Sequence, residues 1–126
     1  MLTIIFLFSS ILLSTNASTP KDIAKYKSQV EYKQALVEYN THNYEEALKH
    51  VESSLSFYSS NKKSKELLIK LRTTGEEYYK TGVSLEHFDK NLALEYLETA
   101  KKLLKDSDKK TKEKISAALE NINEKE

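Results

Sequence analysis

The chain has 126 residues, a formal net charge of +1 and no cysteine, and 31% of its residues are charged. Nearly balanced charge argues against a nucleic-acid-binding protein, for which a strongly basic face is expected, and the lack of cysteine excludes disulfides and thiolate metal sites. One proline and two glycines leave little material for the turns of a sheet, so the composition favours an all-helical chain.

The amino-terminal segment has the pattern of a signal peptide. Residues 2–13 form an almost wholly apolar run, which is too short to span about 30 Å of hydrocarbon as a helix. Thr15 and Ala17 supply the small residues of a cleavage site, although no lysine or arginine precedes the run. We predict a signal peptide at 1–17, cleaved after Ala17, and an extracytoplasmic (periplasmic or secreted) helical domain at 18–126. An uncleaved membrane anchor or a buried core segment is the alternative.

Helix 1 is predicted over residues 21–40 and helix 2 over residues 43–58. Pro20 falls in the first turn of helix 1, where its missing N–H costs nothing. The apolar residues of helix 1 cover a wide arc, as expected of a helix with neighbours on more than one side. Asn43 is placed to cap helix 2, with Glu46 reaching back from three residues later in a capping box.

Helix 3 is predicted over residues 62–86, with Asn61 as its N-cap, and forms a rod of roughly 38 Å at 1.5 Å per residue. Gly75 and Gly82 lie seven residues apart on one face of this helix. Each interior glycine costs about 1 kcal/mol relative to alanine, so the two glycines indicate that another helix approaches closely. A break at residues 73–75 is the competing interpretation.

Two shorter helices complete the chain. Helix 4 is predicted over residues 89–105 with Asp89 as its cap, and helix 5 over residues 109–123 with Ser107 or Asp108 as its cap. Helix 5 has one narrow apolar stripe, which we interpret as the cover of the exposed face of helix 4 at the end of the array. The residues of helix 5 expected to face water are Lys109, Lys110, Lys112 and Glu113.

The sequence repeats at an offset of 46 to 47 residues. Residues Glu31, Tyr32, Val37, Ala47, Leu48 and Glu52 recur as Glu77, Tyr78, Val83, Ala93, Leu94 and Glu98. A second pair of similar segments, residues 61–66 and residues 108–113, follows at an offset of 47, because the linker before the second segment has one extra residue. Helical repeats of this size are units that must stack on their neighbours to bury their apolar faces.

One short motif and several small residues give this repeat a family resemblance. The motif is Asn43-Tyr44-Glu45-Glu46-Ala47-Leu48, and the small residues of the second copy are Gly82, Ala93 and Ala100. Together with the segment Tyr32 to Tyr39 they resemble a tetratricopeptide repeat over about residues 24–58 and 75–105. The family's unit has about 34 residues, so some twelve extra residues, 61–72, lengthen the first helix of the second unit here. The repeat departs from the family in that Leu36 stands where Gly82 does, Ser54 stands where Ala100 does, and no proline closes either unit.

The resemblance implies antiparallel helix hairpins stacked as a short right-handed solenoid, with a groove that binds peptide segments. If Gly82 takes the small position of the first helix, the groove residues are Lys33, Val37, Asn40, Tyr79, Val83 and Glu86. Counting back from Ala47 instead rotates the face of helix 1 onto Tyr32, Leu36 and Tyr39. The expected packing tyrosines are Tyr32, Tyr39, Tyr44 and Tyr78. Tyr79 follows Tyr78 directly, so it must point elsewhere and is the expected exposed anchor for a partner.

The remaining polar residues do not form a recognisable catalytic or metal site. His42 and His50 are eight residues apart, not at the adjacent i, i+4 spacing of a helical ligand pair, and His87 is predicted in a turn. Glu45-Glu46 and Glu76-Glu77 are neighbours whose side chains point about 100° apart on a helix. The lysine pairs at 62–63, 101–102 and 109–110 have acids nearby, so a solvated surface is expected.

We therefore predict a non-catalytic helical scaffold, without metal or cofactor, that binds a peptide segment of another protein. A membrane-tethered or self-associating helical spacer of the cell envelope is the alternative. Nucleic acid is not an expected partner, and membrane contact is expected only if the amino-terminal segment is uncleaved. A homo-oligomer is compatible with both functions.

Overall fold

The computed structural model describes residues 18–124, so the predicted signal peptide at 1–17 and the last two residues lie outside the described range. Over the described residues the chain forms five helices and no strand, which confirms the predicted all-α class and the helix bounds to within two residues. The helices are α1 (Pro20–Asn40), α2 (Tyr44–Phe57), α3 (Lys62–Leu85), α4 (Lys90–Leu103) and α5 (Lys109–Glu124). None of these helices combines the length and apolarity that crossing a membrane requires.

The helices pair as two hairpins and one additional helix. α1 packs along α2, α3 packs along α4, and α5 rests on α4, while α2 also touches α3 and α4. The buried apolar residues form two clusters. The first cluster joins both hairpins through Ala35, Ala47, Leu48, Val51, Leu67, Leu71 and Leu103. The second joins α4 to α5 through Ala93, Leu97, Leu104, Ile115, Leu119 and Ile122.

α3 is a continuous helix that contributes to both clusters, so the competing break at residues 73–75 is wrong. Its 24 residues make a rod of about 36 Å at 1.5 Å per residue. Leu67 and Leu71 in its first half are buried in the first cluster. Tyr79 and Leu85 in its second half pack against the second cluster. The residues that lengthen this repeat therefore serve to bind the first hairpin to the second.

The two glycines of α3 lie at close contacts with α4 and its C-cap, as predicted. A Cβ atom at Gly82 would lie 2.7 Å from Leu97 Cγ and 3.3 Å from the carbonyl oxygen of Ala93. A Cβ atom at Gly75 would lie 2.9 Å from Leu104 Cγ. Real Cβ atoms do not come this close to other carbons, since van der Waals contact between carbons is about 3.5–4.0 Å. The glycines allow the two helices to pack backbone against side chain.

Helix capping follows the predictions at most of the helix starts. The side chains of Asn61, Asp89 and Asp108 each accept a hydrogen bond from the backbone N–H three residues later. The predicted capping box of Asn43 and Glu46 is wrong. Asn43 Nδ2 donates to Glu38 Oε2 at 2.9 Å, and Glu46 instead pairs with Lys49. The preceding residue, His42, has a left-handed φ of 65°, and this tight turn directs the Asn43 side chain back toward α1.

Four polar side chains form a buried network where α1, α2 and α3 meet. Ser28 Oγ donates to the carbonyl oxygen of Ser54, and Ser54 Oγ donates to the carbonyl oxygen of Ser28, both at 2.7 Å. Asn61 Nδ2 donates to Ser28 Oγ at 2.8 Å, and the Ser54 and Ser64 hydroxyl oxygens are 2.6 Å apart. Buried polar groups that are all paired in this way specify one arrangement of the helices. The network fixes the start of α3 against the first hairpin.

α5 covers α4 as predicted. Ile115, Leu119 and Ile122 are buried in the second cluster. The charged residues Lys109, Lys110, Lys112 and Glu113 are exposed. Asn121 Nδ2 also donates to Glu86 Oε1 at 2.8 Å, which links α5 to the end of the α3 helix.

Candidate functional site

The three candidate residues in the second half of α3 and at its C-cap do not form one open surface. Tyr79 is half-buried and packs against the second cluster, so the expectation that it is an exposed anchor is wrong. Glu86 accepts a hydrogen bond from Asn121 of α5. Val83 is 39% exposed. Among the tyrosines, all within the described range, Tyr26 is the exposed one, at 67%.

The three candidates on α1 lie on the outer side of that helix. Ala35 is completely buried and marks the side of α1 that faces α2. Because successive residues of a helix are about 100° apart, Lys33, Val37 and Asn40 point away from Ala35, and all three are exposed. The candidates on α1 and the candidates on α3 therefore belong to different faces of the two hairpins.

The mismatch arises from a one-residue difference in register between the hairpins. Ser28 and Ala35 are the buried small residues of α1, and Gly75 and Gly82 take their places in α3 at an offset of 47. The buried Ala47 of α2 recurs in α4 at an offset of 46. The first hairpin thus holds one more residue between its small position and its buried alanine. The α1 residues equivalent to the candidates on α3 are Tyr32, Leu36 and Tyr39, and these are half-buried.

A row of tyrosine rings connects the two hairpins. The ring of Tyr44 contacts the rings of Tyr39 and Tyr78 edge-on, with centroids 5.6 and 5.8 Å apart. Tyr78 in turn stacks on Tyr96 with centroids 4.7 Å apart. Tyr39 and Tyr44 pack against the first cluster, as predicted for these positions. These rings are packing elements of the interface between hairpins.

Burial opposes the ionisation of two tyrosines in this row, Tyr44 and Tyr78. Burial raises the pKa of Tyr44, with smaller contributions from Tyr78, Tyr39 and Glu77. Burial also raises the pKa of Tyr78, and Tyr96 adds to the effect. A phenol whose pKa is higher in the folded chain keeps its full contribution to stability below the pKa of the unfolded chain, about 10. That contribution is lost as the pH rises above 10, because the unfolded chain ionises first.

We expect the free energy of unfolding to fall between about pH 8 and pH 11 by more in the natural chain than in the Tyr44→Phe/Tyr78→Phe variant. Urea denaturation followed by circular dichroism at each pH measures this difference. The comparison cancels the lysine ionisation that both chains share. Tyr26→Phe, which removes an exposed phenol, is the control and should behave as the natural chain. Identical pH dependence in all three chains would contradict the prediction.

A cleft lined by lysines lies between α1, the end of α2 and the start of α3. Its volume is about 490 Å³, and its lining residues are Lys25, Gln29, Tyr32, Lys33, Tyr58, Ser60, Asn61, Lys62 and Lys63. We call it the lysine cleft. The Lys25 ammonium lies 5.3 Å from the centroid of the Tyr58 ring, and the Lys63 ammonium lies 6.0 Å from that of Tyr32. Two of the four lysines are therefore held over aromatic rings.

The lysines of the lysine cleft differ from other lysines of the chain in their contacts with acids. Within residues 18–124 none of its four lysines forms an ion pair with a carboxylate. The lysines between α2 and α4 differ, since Lys102 pairs with Glu45 at 3.0 Å and Lys105 pairs with Glu52 at 2.8 Å. Lys62 and Lys63 are exposed, as expected of a solvated surface, and neither forms a direct ion pair within the described residues.

The start of α3 adds to the positive potential of the cleft. The first turn of α3 contains no acidic residue, and its N-cap is the neutral Asn61. Lysines at the positive end of a helix dipole raise the local potential and do not stabilise the helix. The equivalent start of α5 has the acidic N-cap Asp108, whose pKa is lowered by hydrogen bonds from Thr111. Lys109 there also lies 3.8 Å from Glu113.

Acid–base and metal-binding groups are dispersed over the described residues. His50 Nδ1 lies 2.7 Å from Glu31 Oε2 and joins α2 to α1. His42 and His87 are exposed in the turns. Over residues 18–124 no three histidine, aspartate or glutamate side chains converge in a way that could hold a metal ion. The lysine cleft brings four lysines to one cavity and has no acidic residue in its lining.

Comparison with known proteins gives no relative, since no family model, curated protein or solved structure matches this chain.

Proposed function

We propose that this chain is an exported, non-catalytic helical scaffold whose tetratricopeptide-like hairpins bind an acidic peptide segment of another protein. The observation that carries the proposal is the lysine cleft between α1 and α3. Both helices are the first helices of their hairpins, which are the helices that line the groove in the family that the sequence resembles. The cleft has the size and the charge to hold a short acidic segment.

The chemistry of the cleft favours carboxylates. Lysine ammonium groups are compact point charges that attract a carboxylate without demanding a fixed orientation. Sites that bind phosphate through two parallel hydrogen bonds usually use the planar guanidinium group of arginine. The single arginine of the chain, Arg72, does not line the cleft. Tyr32 and Tyr58 offer apolar ring surface beside the lysines, which suits a peptide that has an apolar side chain among its acids. An acidic peptide therefore fits the cleft better than nucleic acid does.

We expect a fluorescein-labelled oligoglutamate peptide to bind the full chain, and an oligoglutamine peptide of the same length not to bind. Binding should weaken as salt is added, because exposed charge pairs are screened. In the Lys62→Ala/Lys63→Ala variant the dissociation constant should rise about tenfold, since each exposed pair contributes about 0.2–1 kcal/mol. Fluorescence anisotropy measures the dissociation constants.

The matched control is Lys109→Ala/Lys110→Ala at the start of α5. It also removes two lysines from the first turn of a helix, and the sequence around them resembles that around residues 62–63. The N-cap of this helix, however, is the acidic Asp108. This variant should bind the peptide as the natural chain does. Equal weakening by both variants would show attraction by net charge alone and would overturn the proposed site. Competition by inorganic phosphate at equal concentration would point to phosphate as the ligand and contradict an acidic peptide.

A further inference from the structure

α1 has a second apolar stripe on the side away from its own hairpin. The stripe consists of Ile23, Tyr26, Val30 and Val37, whose exposed fractions are 48, 67, 47 and 55%. At about 100° per residue these side chains lie within a narrow sector almost opposite the buried Ser28 and Ala35. No other helix of the described residues covers this sector, because α1 packs on α2 and only slightly on α3.

The stripe has the spacing of a coiled-coil seam. Ile23, Val30 and Val37 are seven residues apart, and each is β-branched. With these as the a positions of a heptad, Tyr26, Lys33 and Asn40 are the d positions. β-branched residues at a favour two-stranded coiled coils when leucine occupies d, and the polar residues at two of the d positions here cost stability. The pattern therefore selects a helical partner that follows α1 along its length.

The stripe is not a requirement of the hairpin. Because α1 and α3 correspond at an offset of 47, each stripe residue of α1 can be compared with the residue at the equivalent position of α3. The α3 residues at the places of Ile23, Tyr26, Val30 and Val37 are Lys70, Thr73, Glu77 and Ser84. All four are polar and exposed. The second hairpin thus folds with a polar surface at the position where the first hairpin is apolar.

The edges of the seam are complementary to a second copy of the same helix. Asp22 is a g position and Lys27 is the e position five residues later. In a parallel pair, g and e positions of opposite chains face each other, so Asp22 meets the Lys27 of the other copy twice. Gln29 and Gln34 occupy the next g and e positions and can exchange amide hydrogen bonds. The Lys27 ammonium is already held beside the seam, 5.6 Å from the centroid of the Phe57 ring.

We propose that two copies of this chain associate through the seam of α1 as a parallel, two-stranded coiled coil. An isologous interface requires a surface that is complementary to itself, and the seam with its g and e residues meets this condition. The body of each copy lies on the Ser28 and Ala35 side of its α1, opposite the seam, so the two bodies do not obstruct the pairing. Lys33 lies at the border of the seam and the lysine cleft, where its ammonium reaches solvent. The dimer does not depend on peptide binding.

Sedimentation equilibrium of the full chain from about 5 to about 500 µM tests the proposal, since homodimers of micromolar affinity dissociate in this range. We expect a reversible monomer–dimer equilibrium. Val30→Lys should raise the dimer dissociation constant about tenfold or more, because it places two cations opposite each other in the seam. The matched control is Ile69→Lys, which replaces an apolar residue of α3 that is 61% exposed and should leave the equilibrium unchanged. Circular dichroism verifies that both variants keep their helix content.

Because the chain has no cysteine, single cysteines report the geometry directly. Val30→Cys should form a disulfide-linked dimer under mild oxidation, since equivalent a residues face each other across a parallel pair. Thr73→Cys, at the place on α3 that corresponds to Tyr26 of the stripe, should not. A chain that is monomeric at every concentration overturns the proposal, as does association that Val30→Lys and Ile69→Lys weaken equally. Cross-linking of Val30→Cys no faster than that of Thr73→Cys overturns the parallel arrangement.

Discussion

A chain that lacks residues 107–126 is expected to lose the cooperative unfolding of its second half. α5 supplies Ile115, Leu119 and Ile122, which are half of the buried residues of the second cluster. Each large apolar side chain contributes about 1.5–3 kcal/mol when buried, so the deletion removes roughly 5–9 kcal/mol of gross stabilisation. Small domains have a total stability of about 5–15 kcal/mol. The deletion should also expose Leu97 and Leu104, which are buried in the full chain, and thereby promote self-association.

Thermal and urea denaturation, followed by circular dichroism at several concentrations, measure this effect. We expect a lower midpoint and a broader transition than in the full chain. Two point variants separate loss of packing from loss of chain length. Ile122→Ala should cost about 2–5 kcal/mol because it opens a cavity in the cluster, and Ser116→Ala, at an exposed position of α5, should cost almost nothing. A truncated chain that melts cooperatively as a monomer at the full-length temperature would falsify this prediction.

Gly82→Ala is expected to destabilise the chain although alanine is the better helix former. Helix propensity favours alanine by about 1 kcal/mol. The added Cβ would lie 2.7 Å from Leu97 Cγ, and Leu97 is completely buried. This contact is near the base of the leucine side chain, so a rotation of its methyl groups cannot relieve it. Overpacking of this kind costs about 1–3 kcal/mol, and we expect a lower free energy of unfolding, with a larger loss for Gly82→Val.

Urea denaturation of Gly82→Ala beside Thr81→Ala measures the sign of the effect. Thr81 is the preceding residue and is exposed, so its replacement should stabilise the chain by a few tenths of a kcal/mol through helix propensity alone. A Gly82→Ala chain as stable as Thr81→Ala would mean that α3 and α4 separate at little cost. The close approach of these helices would then have no importance for stability.

Several features of the fold could be predicted from the sequence because their causes are local. The helices follow from apolar spacing, and the caps at Asn61, Asp89 and Asp108 follow from residues three positions apart. The length of α3 follows from an apolar pattern that continues through Gly75. The cap at Asn43 could not be predicted, because its side chain binds Glu38 across a turn.

The candidate site could be predicted less well because it depends on how helices are rotated about their axes. The identical residue pairs Glu31-Tyr32 and Glu77-Tyr78 indicate an offset of 46 between the two repeats. The buried residues of α1 and α3, in contrast, correspond at an offset of 47. The lysine pairs likewise look alike in sequence. Only the packing of the hairpins places Lys102 beside Glu45 and leaves residues 62–63 at the cleft without an acid.

The sequence by itself determined the all-helical class, the helix bounds and the wide apolar arc of α1. Periodicity and capping act within one helix, so they can be recognised without a neighbour. The tertiary structure decided which side of α1 is buried, which lysines are paired and how the hairpins correspond. Those outcomes depend on side-chain volumes at contacts between distant residues, such as Gly82 against Leu97, and close packing allows only one of the rotations that the sequence pattern permits.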